Sequence, residues 1–489
     1  MKKIVIESLS ILPDATIRQA MQAIGSGEIG VSFVLTEDGS LKSILTDGDI
    51  RRALLSGFGL QSSISVIKMS QPIFATMENS AADISAKFNE KIRVIPVIDE
   101  NNKVIDVHFR DKRTQLAVTN PLFDYHEIEL LNECIVTGWV SSGGAFVKKF
   151  ENMVADYCGT KYAVSCSSAT SGLHLALLAH NIGPGDEVIV PSLSFIATAN
   201  AVTYTGATPV FVDSQRSTWN IDPDLISAAI TSKTKAIMPV HLYGHPADMD
   251  PINLIAKTHN LIVIEDAAEA QGAKYKKQMV GSLADAAVFS YFGNKIITTG
   301  EGGMIVTDDV KVAEKCQILR DHGMSKERRY WHEVIGYNYR LTNMQAALGV
   351  AQMGKIDRII SRKKEIAEEY RKHLEGITSI TLPSNMDWAD SVYWLYTILI
   401  DDELCGDGVE NLIQVLKQRG IDSRPVFPPM HKQPIYEKSR TLPISESISR
   451  RGISLPSAPD IQDRDIAHIC KVITDFVLRN NRFDNQCLE

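Results

Sequence analysis

A chain of 489 residues exceeds one typical domain, and 44% apolar with 22% charged residues describes a globular protein of two or three domains. A net charge of −8 argues against a nucleic-acid binder. No apolar run reaches the ~18 residues that span a bilayer, and Ile4–Ile6 behind Met1-Lys2-Lys3 is too short for a signal peptide, so a cytoplasmic protein without membrane contact is expected. Seven scattered cysteines, an odd number with no pair at metal-ligand spacing, point to reduced thiols and no metal site.

Residues 1–112 read as a repeat. In the first copy Val31–Leu35 and Leu41–Leu45 predict strands around the turn Glu37-Asp38-Gly39, and a helix begins near Ile50. In the second, Ile92–Ile98 and Val104–Val107 flank Glu100-Asn101-Asn102. A helical pattern precedes each hairpin, over Ile17–Ile24 and Ala81–Phe88, so the halves are expected to share a core. Thr46-Asp47-Gly48-Asp49-Ile50-Arg51-Arg52 resembles one half of a cystathionine-β-synthase-type (CBS) domain pair. That resemblance implies a nucleotide, adenine-based in this family, contacted by Thr46 and Asp49. His108-Phe109-Arg110 replaces the matching motif in the second copy, so at most one site is supported. The plainer reading of Asp49 is a helix cap.

Residues 113–120 are mixed and polar and read as a linker; 121–375 predict a large domain and 376–489 a small α+β one. In the large domain, helical stretches alternate with short apolar strands near Val188, Val210, Ile237, Ile262, Ala286 and Met304. This alternation predicts an α/β fold with a mostly parallel sheet covered on both faces, whose ligands lie beyond the strand C-termini. Four polar stretches fall there. Ser167-Ser168-Ala169-Thr170-Ser171-Gly172 runs into a helix whose free N–H groups and Thr170 hydroxyl suit a phosphate. Phe195, after a strand end, can stack on a flat heteroaromatic ring. Asp266, in Glu265-Asp266-Ala267-Ala268-Glu269, can hold a pyridine nitrogen protonated, and Lys295, in Ser290-Tyr291-Phe292-Gly293-Asn294-Lys295, can form an imine with an aldehyde cofactor. Each has an ordinary alternative: a Ser/Thr cap, a core phenylalanine, a capping acid, a surface lysine.

Taken in order, these stretches resemble the nucleotide-sugar aminotransferases, which are fold-type I pyridoxal 5'-phosphate enzymes, from about Asn120 to the C-terminus. The resemblance implies that Lys295 is the Schiff-base lysine, that Asp266 pairs with the pyridine nitrogen, that Phe195 stacks on the ring, and that Ala169, Thr170 and Ser290 hold the phosphate. Glu269 falls near the cofactor hydroxyl. Gly336-Tyr337-Asn338-Tyr339-Arg340 implies that Asn338 reaches the neighbouring subunit's phosphate, hence a homodimer or larger assembly.

Lys355–Leu374 predicts an amphipathic helix bridging the two domains, followed by a strand over Trp394–Ile400 and a helix over Val409–Gln418. Arg424-Pro425-Val426-Phe427-Pro428-Pro429-Met430-His431 and Arg451–Pro456 look most like the perosamine synthase branch, which aminates C4 of a GDP-linked 4-keto-6-deoxyhexose with L-glutamate as donor. By the same resemblance His241, Tyr243, Arg424 and His431 face the sugar, as does Gly138–Gly143. Three alternatives stay open: an aminotransferase for a UDP-linked 4-keto amino sugar; a pyridoxamine-dependent sugar dehydratase, whose family replaces the lysine with histidine; and an inert nucleotide-sensing protein.

Overall fold

The computed structural model describes residues 6–27, 30–69, 71–79, 83–84, 87–88, 92–109, 116–401, 408–436 and 440–484. The chain divides into two compact units, 1–114 and 115–489.

The first unit holds two copies of one small sheet. Ser10–Ile11 lies parallel to Val31–Leu35, which pairs antiparallel with Leu41–Thr46. Ala75–Thr76, Val94–Ile98 and Val104–Phe109 repeat that topology. The hairpins turn on left-handed residues, Gly39 (φ +86°) and Asn102 (φ +58°). Leu9, Val31 and Phe33 bury against Val94 and Val107, the shared core the repeat predicts. The first hairpin's helix spans Asp47–Leu55, three residues earlier than expected, because Thr46 caps it. The predicted helix over 81–88 falls partly outside the described residues, at 81, 82, 85 and 86.

In the second unit seven strands run in the order Tyr162–Cys166, Gly303–Thr307, Ala286–Ser290, Ile262–Asp266, Thr234–Ile237, Glu187–Pro191 and Thr208–Val212. Gly303–Thr307 is antiparallel to both its neighbours, and the other adjacent pairs are parallel. Alternation along Ala286–Ser290 sends Ala287 and Phe289 into one core cluster and Val288 into the cluster on the opposite face. Burial on both sides is why these strands read as continuous apolar runs.

The helix Ile356–Leu374 joins this sheet to the smaller one. Its first turns (Ile356, Ile359, Ile360) bury in the large core and its last (Ile366, Tyr370, Leu374) in the small one. The small sheet is antiparallel, in the order Ile380–Thr381, Tyr396–Ile400, Gly452–Leu455, Arg424–Pro425. The segment expected to be a linker is not free where it is described. Leu116 bridges Ile421, Val118 is fully buried, and Ser457 N donates to the Val118 carbonyl at 2.8 Å. These contacts tie residues 116–118 to the segments around Ile421 and Ser457. No helix among the described residues is long and apolar enough to cross a membrane.

Candidate active site

The C-terminal ends of the parallel strands meet at a cavity of about 360 Å³, within the range of small-molecule sites. Ala169, Thr170, Phe195, Tyr243, Asp266, Glu269, Ser290, Lys295 and Arg424 all line it, although they span more than half the chain.

One wall is the start of the helix Ala169–Ala179. Ser168 caps it and accepts from Ser171 N, so the first-turn N–H groups of Ala169 and Thr170 remain without an intrahelical acceptor. Gly303 packs directly beneath: a Cβ there would lie 2.5 Å from the Ser168 carbonyl carbon and 2.7 Å from Ala169 N. Glycine is required by this close approach, and Ser290 pairs with Gly303 on the neighbouring strand.

Asp266 ends the strand Ile262–Asp266 and is almost fully buried. The Thr198 hydroxyl donates to Asp266 Oδ2 at 2.7 Å, and Ala268 N donates to Oδ1 at 3.2 Å. Burial raises the Asp266 carboxyl above its ordinary value, against these donors and the charge of Lys295. Glu269 is raised for the same first reason; its carboxylate accepts from Tyr243 N at 2.8 Å and lies 3.5 Å from Lys295 Nζ. Burial lowers Lys295, and the two carboxylates oppose it. Three mutually close ionisable groups, all driven toward neutrality by burial, mark a reactive site rather than a packed core.

The remaining wall is aromatic. Tyr243 stacks on Phe427 (centroids 5.5 Å apart) and on Trp394 (6.2 Å), and Phe195 tilts against Phe427 at 5.9 Å. Tyr243 sits at φ +54°, rare for a bulky side chain, and Gly244 follows at φ +94°, where a Cβ would meet Trp394 N at 2.9 Å. The strained turn presses the Tyr243 ring into the aromatic wall.

Residues 122–474 match the DegT/DnrJ/EryC1/StrS aminotransferase family, and residues 1–56 match the CBS domain. The chain belongs to the DegT/DnrJ/EryC1/StrS aminotransferase family. It is 48% identical to the GDP-perosamine synthase of Caulobacter vibrioides over 358 residues, which is 73% of this chain and 96% of that protein. It is 47% identical to the GDP-perosamine synthase of Escherichia coli O157:H7, over 74% of this chain and 98% of that one. Among solved structures, Spr1654 of Streptococcus pneumoniae in its PLP form matches with a TM-score of 0.70 and 28% identity, covering 75% of this chain and 99% of that one. Pyridoxal phosphate is therefore the cofactor of this aminotransferase, and the cavity fits it: N–H groups for the phosphate, a buried carboxylate for the ring nitrogen and a buried amine for the aldehyde.

Two of the residues expected to face the sugar, His241 and His431, do not line this cavity. His241 is fully buried; Ala247 N donates to its Nδ1 at 3.0 Å, so its Nε2–H donates to Glu265 at 2.9 Å. His431 is also buried, bonded to Ser192 Oγ at 2.6 Å and Glu446 at 3.1 Å. Each ring has both nitrogens engaged within the protein. Asn338 is exposed and lies outside the cavity of its own chain, as do Trp139 and its neighbours. In the first unit Thr46 and Asp49 engage each other: Asp49 N donates to Thr46 Oγ1, and the Thr46 N–H and hydroxyl donate to Asp49 at 3.0 and 2.7 Å. Arg52 takes the other Asp49 oxygen at 2.6 Å. Sequence reasoning missed Thr198, Trp394 and Phe427. Phe427 lay inside the run Arg424–His431 without a role of its own, and Thr198 carried a local signal, a hydroxyl one turn after Ser194 at a strand end.

Proposed function

We propose that this aminotransferase converts the C4 keto group of a GDP-linked 4-keto-6-deoxyhexose to an amine, with L-glutamate as donor, in the cytoplasm. The observation that carries the site assignment is the meeting of Lys295, Asp266 and the capped start of helix Ala169–Ala179 in one cavity. Support for the substrate comes from the two relatives named GDP-perosamine synthase. Five described cysteines, all free and buried, accord with a reducing compartment.

When bound, pyridoxal phosphate supplies a carbonyl with which amines condense and a ring that accepts electrons. Ala169 N, Thr170 and Ser290 would hold its phosphate, Phe195 would cover its ring, and Asp266 would serve the ring nitrogen. Lys295 Nζ, whose neutral form burial favours, would take the proton from the donor's α carbon and in the second half-reaction deliver a proton at C4 of the sugar. Glu269 keeps that amine in place from 3.5 Å. Tyr243 and Arg424 lie on the substrate side. His241 and His431 support the strand ends through Glu265 and Ser192.

The enzyme acts as at least a dimer, Asn338 completing the neighbouring subunit's phosphate site. Its exposure, and that of Ile135, Val136 and Trp139, supports this. An adenine nucleotide at the first unit would have to displace the Asp49–Arg52 pair, and calorimetric titration tests it. Incubation with L-glutamate and GDP- or UDP-linked 4-keto sugars, followed by mass spectrometry, tests the whole reading. Amination of the GDP sugar with release of 2-oxoglutarate is expected; turnover confined to UDP sugars overturns the substrate assignment.

A further inference from the structure

Lys295 is gripped by a residue a hundred positions away. Trp394 Nε1 donates to the carbonyl of Asn294 at 2.7 Å, immediately before Lys295. The face of the same indole lies 3.5 Å from Lys295 Nζ. Trp394 is itself anchored from behind. Its carbonyl accepts at 2.8 Å from Nζ of Lys363, a buried lysine on the bridging helix whose other bond goes to Ser457 Oγ at 3.1 Å. Among the described residues no carboxylate pairs with Lys363. A buried amine satisfied by one carbonyl and one hydroxyl is an expensive way to fill space, and what it holds is the backbone of Trp394.

A lysine has four rotatable side-chain bonds, and one whose amine is released part-way through a reaction must stay where it is next needed. An aromatic face attracts an ammonium group and resists its deprotonation, most strongly where water is excluded. Around Lys295 the other charged groups are Glu269 at 3.5 Å and Asp266, with Glu301 and Arg424 on the same cavity. The two nearby carboxylates provide charge, whereas the indole is in direct contact with both the amine and the backbone that carries it.

We propose that Trp394, anchored by Lys363, is a positioning residue that holds the free amine of Lys295 against its indole face and opposes the loss of a proton that the amine has taken up. This rests on the role given to Lys295 above, but its test does not need turnover. Competitive labelling of the full-length chain with acetic anhydride, read residue by residue by mass spectrometry, gives the pH midpoint of each lysine. It is run with pyridoxamine phosphate bound, which leaves the Lys295 amine free, and again without cofactor; exposed Lys148 serves as the internal standard.

Trp394→Leu removes the ring, and the Lys295 midpoint is expected to fall by about one pH unit. Trp394→Phe keeps a weaker face and loses the N–H bond, so a smaller fall is expected. Lys363→Met keeps the bulk of the stem, frees the Trp394 carbonyl, and lowers the midpoint in the same direction. Lys148 stays unchanged in all three. If Trp394→Leu does not fold, the phenylalanine and methionine variants decide. Lys295 midpoints equal to or above wild type in the folded variants overturn the proposal. Because the cofactor-free arm is independent of amination, a failed activity assay and a failed clamp are distinguishable.

Discussion

Replacing Thr198 by Val probes how Asp266 is kept ready to face a ring nitrogen. The Thr198 hydroxyl has one proton, and its shortest contact is to Asp266 Oδ2 at 2.7 Å, so the contact with Ser194 at 3.2 Å is donated by Ser194. Valine matches threonine in size and brings no donor, so Asp266 Oδ2 loses this bond. A hydrogen bond to a charged group is worth about 1.5–3 kcal/mol, which corresponds to about 1–2 pH units on the carboxyl. Burial already holds Asp266 above its ordinary value, and the valine variant moves it further in that direction. A carboxyl raised in the folded state costs stability once the pH exceeds its unfolded value. The variant's stability deficit is therefore largest near neutrality and shrinks as the pH falls through the folded pKa. The assay is the pH profile of kcat/KM alongside denaturant unfolding at several pH values. The acid limb is expected to move up by about one unit or more. An unmoved acid limb together with a pH-independent stability difference would refute the hydrogen bond's role.

Other substitutions test separate joints. Burial pushes the Lys363 amine down to about 7, against an ordinary 10.5. Between those values the unfolded chain binds the extra proton, so wild-type stability gains on that of Lys363→Met by about 3 kcal/mol from pH 7 to pH 10, measured by denaturant midpoints. Gly303→Ala drives a methyl group into the backbone of Ser168 and Ala169. It should destabilise by about 1–3 kcal/mol and weaken cofactor retention on dialysis, because the phosphate-binding turn is displaced. Thr46→Ala removes the cap of helix Asp47–Leu55 and should lower the stability of the first unit by about 1 kcal/mol with amination unchanged.

What was legible in the sequence was local. Asp266, Ser290 and Ser168 each follow a short apolar run, and parallel strands collect their C-terminal ends at one place, so strand periodicity alone brings them together. The aromatic wall was not legible, because Tyr243, Trp394 and Phe427 come from three segments far apart in the chain that meet only in the folded protein. The adjacent acids Glu265 and Asp266 looked alike, yet alternation along a strand turns them to opposite faces. Asp266 enters the cavity, whereas Glu265 accepts from Gly281 N, Leu283 N and His241. That buried acid takes up His241, just as Ser192 and Glu446 take up His431, and no spacing rule announces a partner so distant in the chain. The described part of the expected linker is held for a similar reason: Leu116 bridges Ile421 and Val118 N donates to the Asp422 carboxylate, some three hundred residues later.

The most direct measurement is the location of the cofactor's covalent bond. Purified chain incubated with pyridoxal phosphate, reduced with borohydride and digested should carry the phosphopyridoxyl group on the peptide containing Lys295. Lys295→Ala should leave that label absent and abolish the visible absorbance of the lysine-bound cofactor. A label found on another lysine, or retained in the alanine variant, would contradict the account at its root.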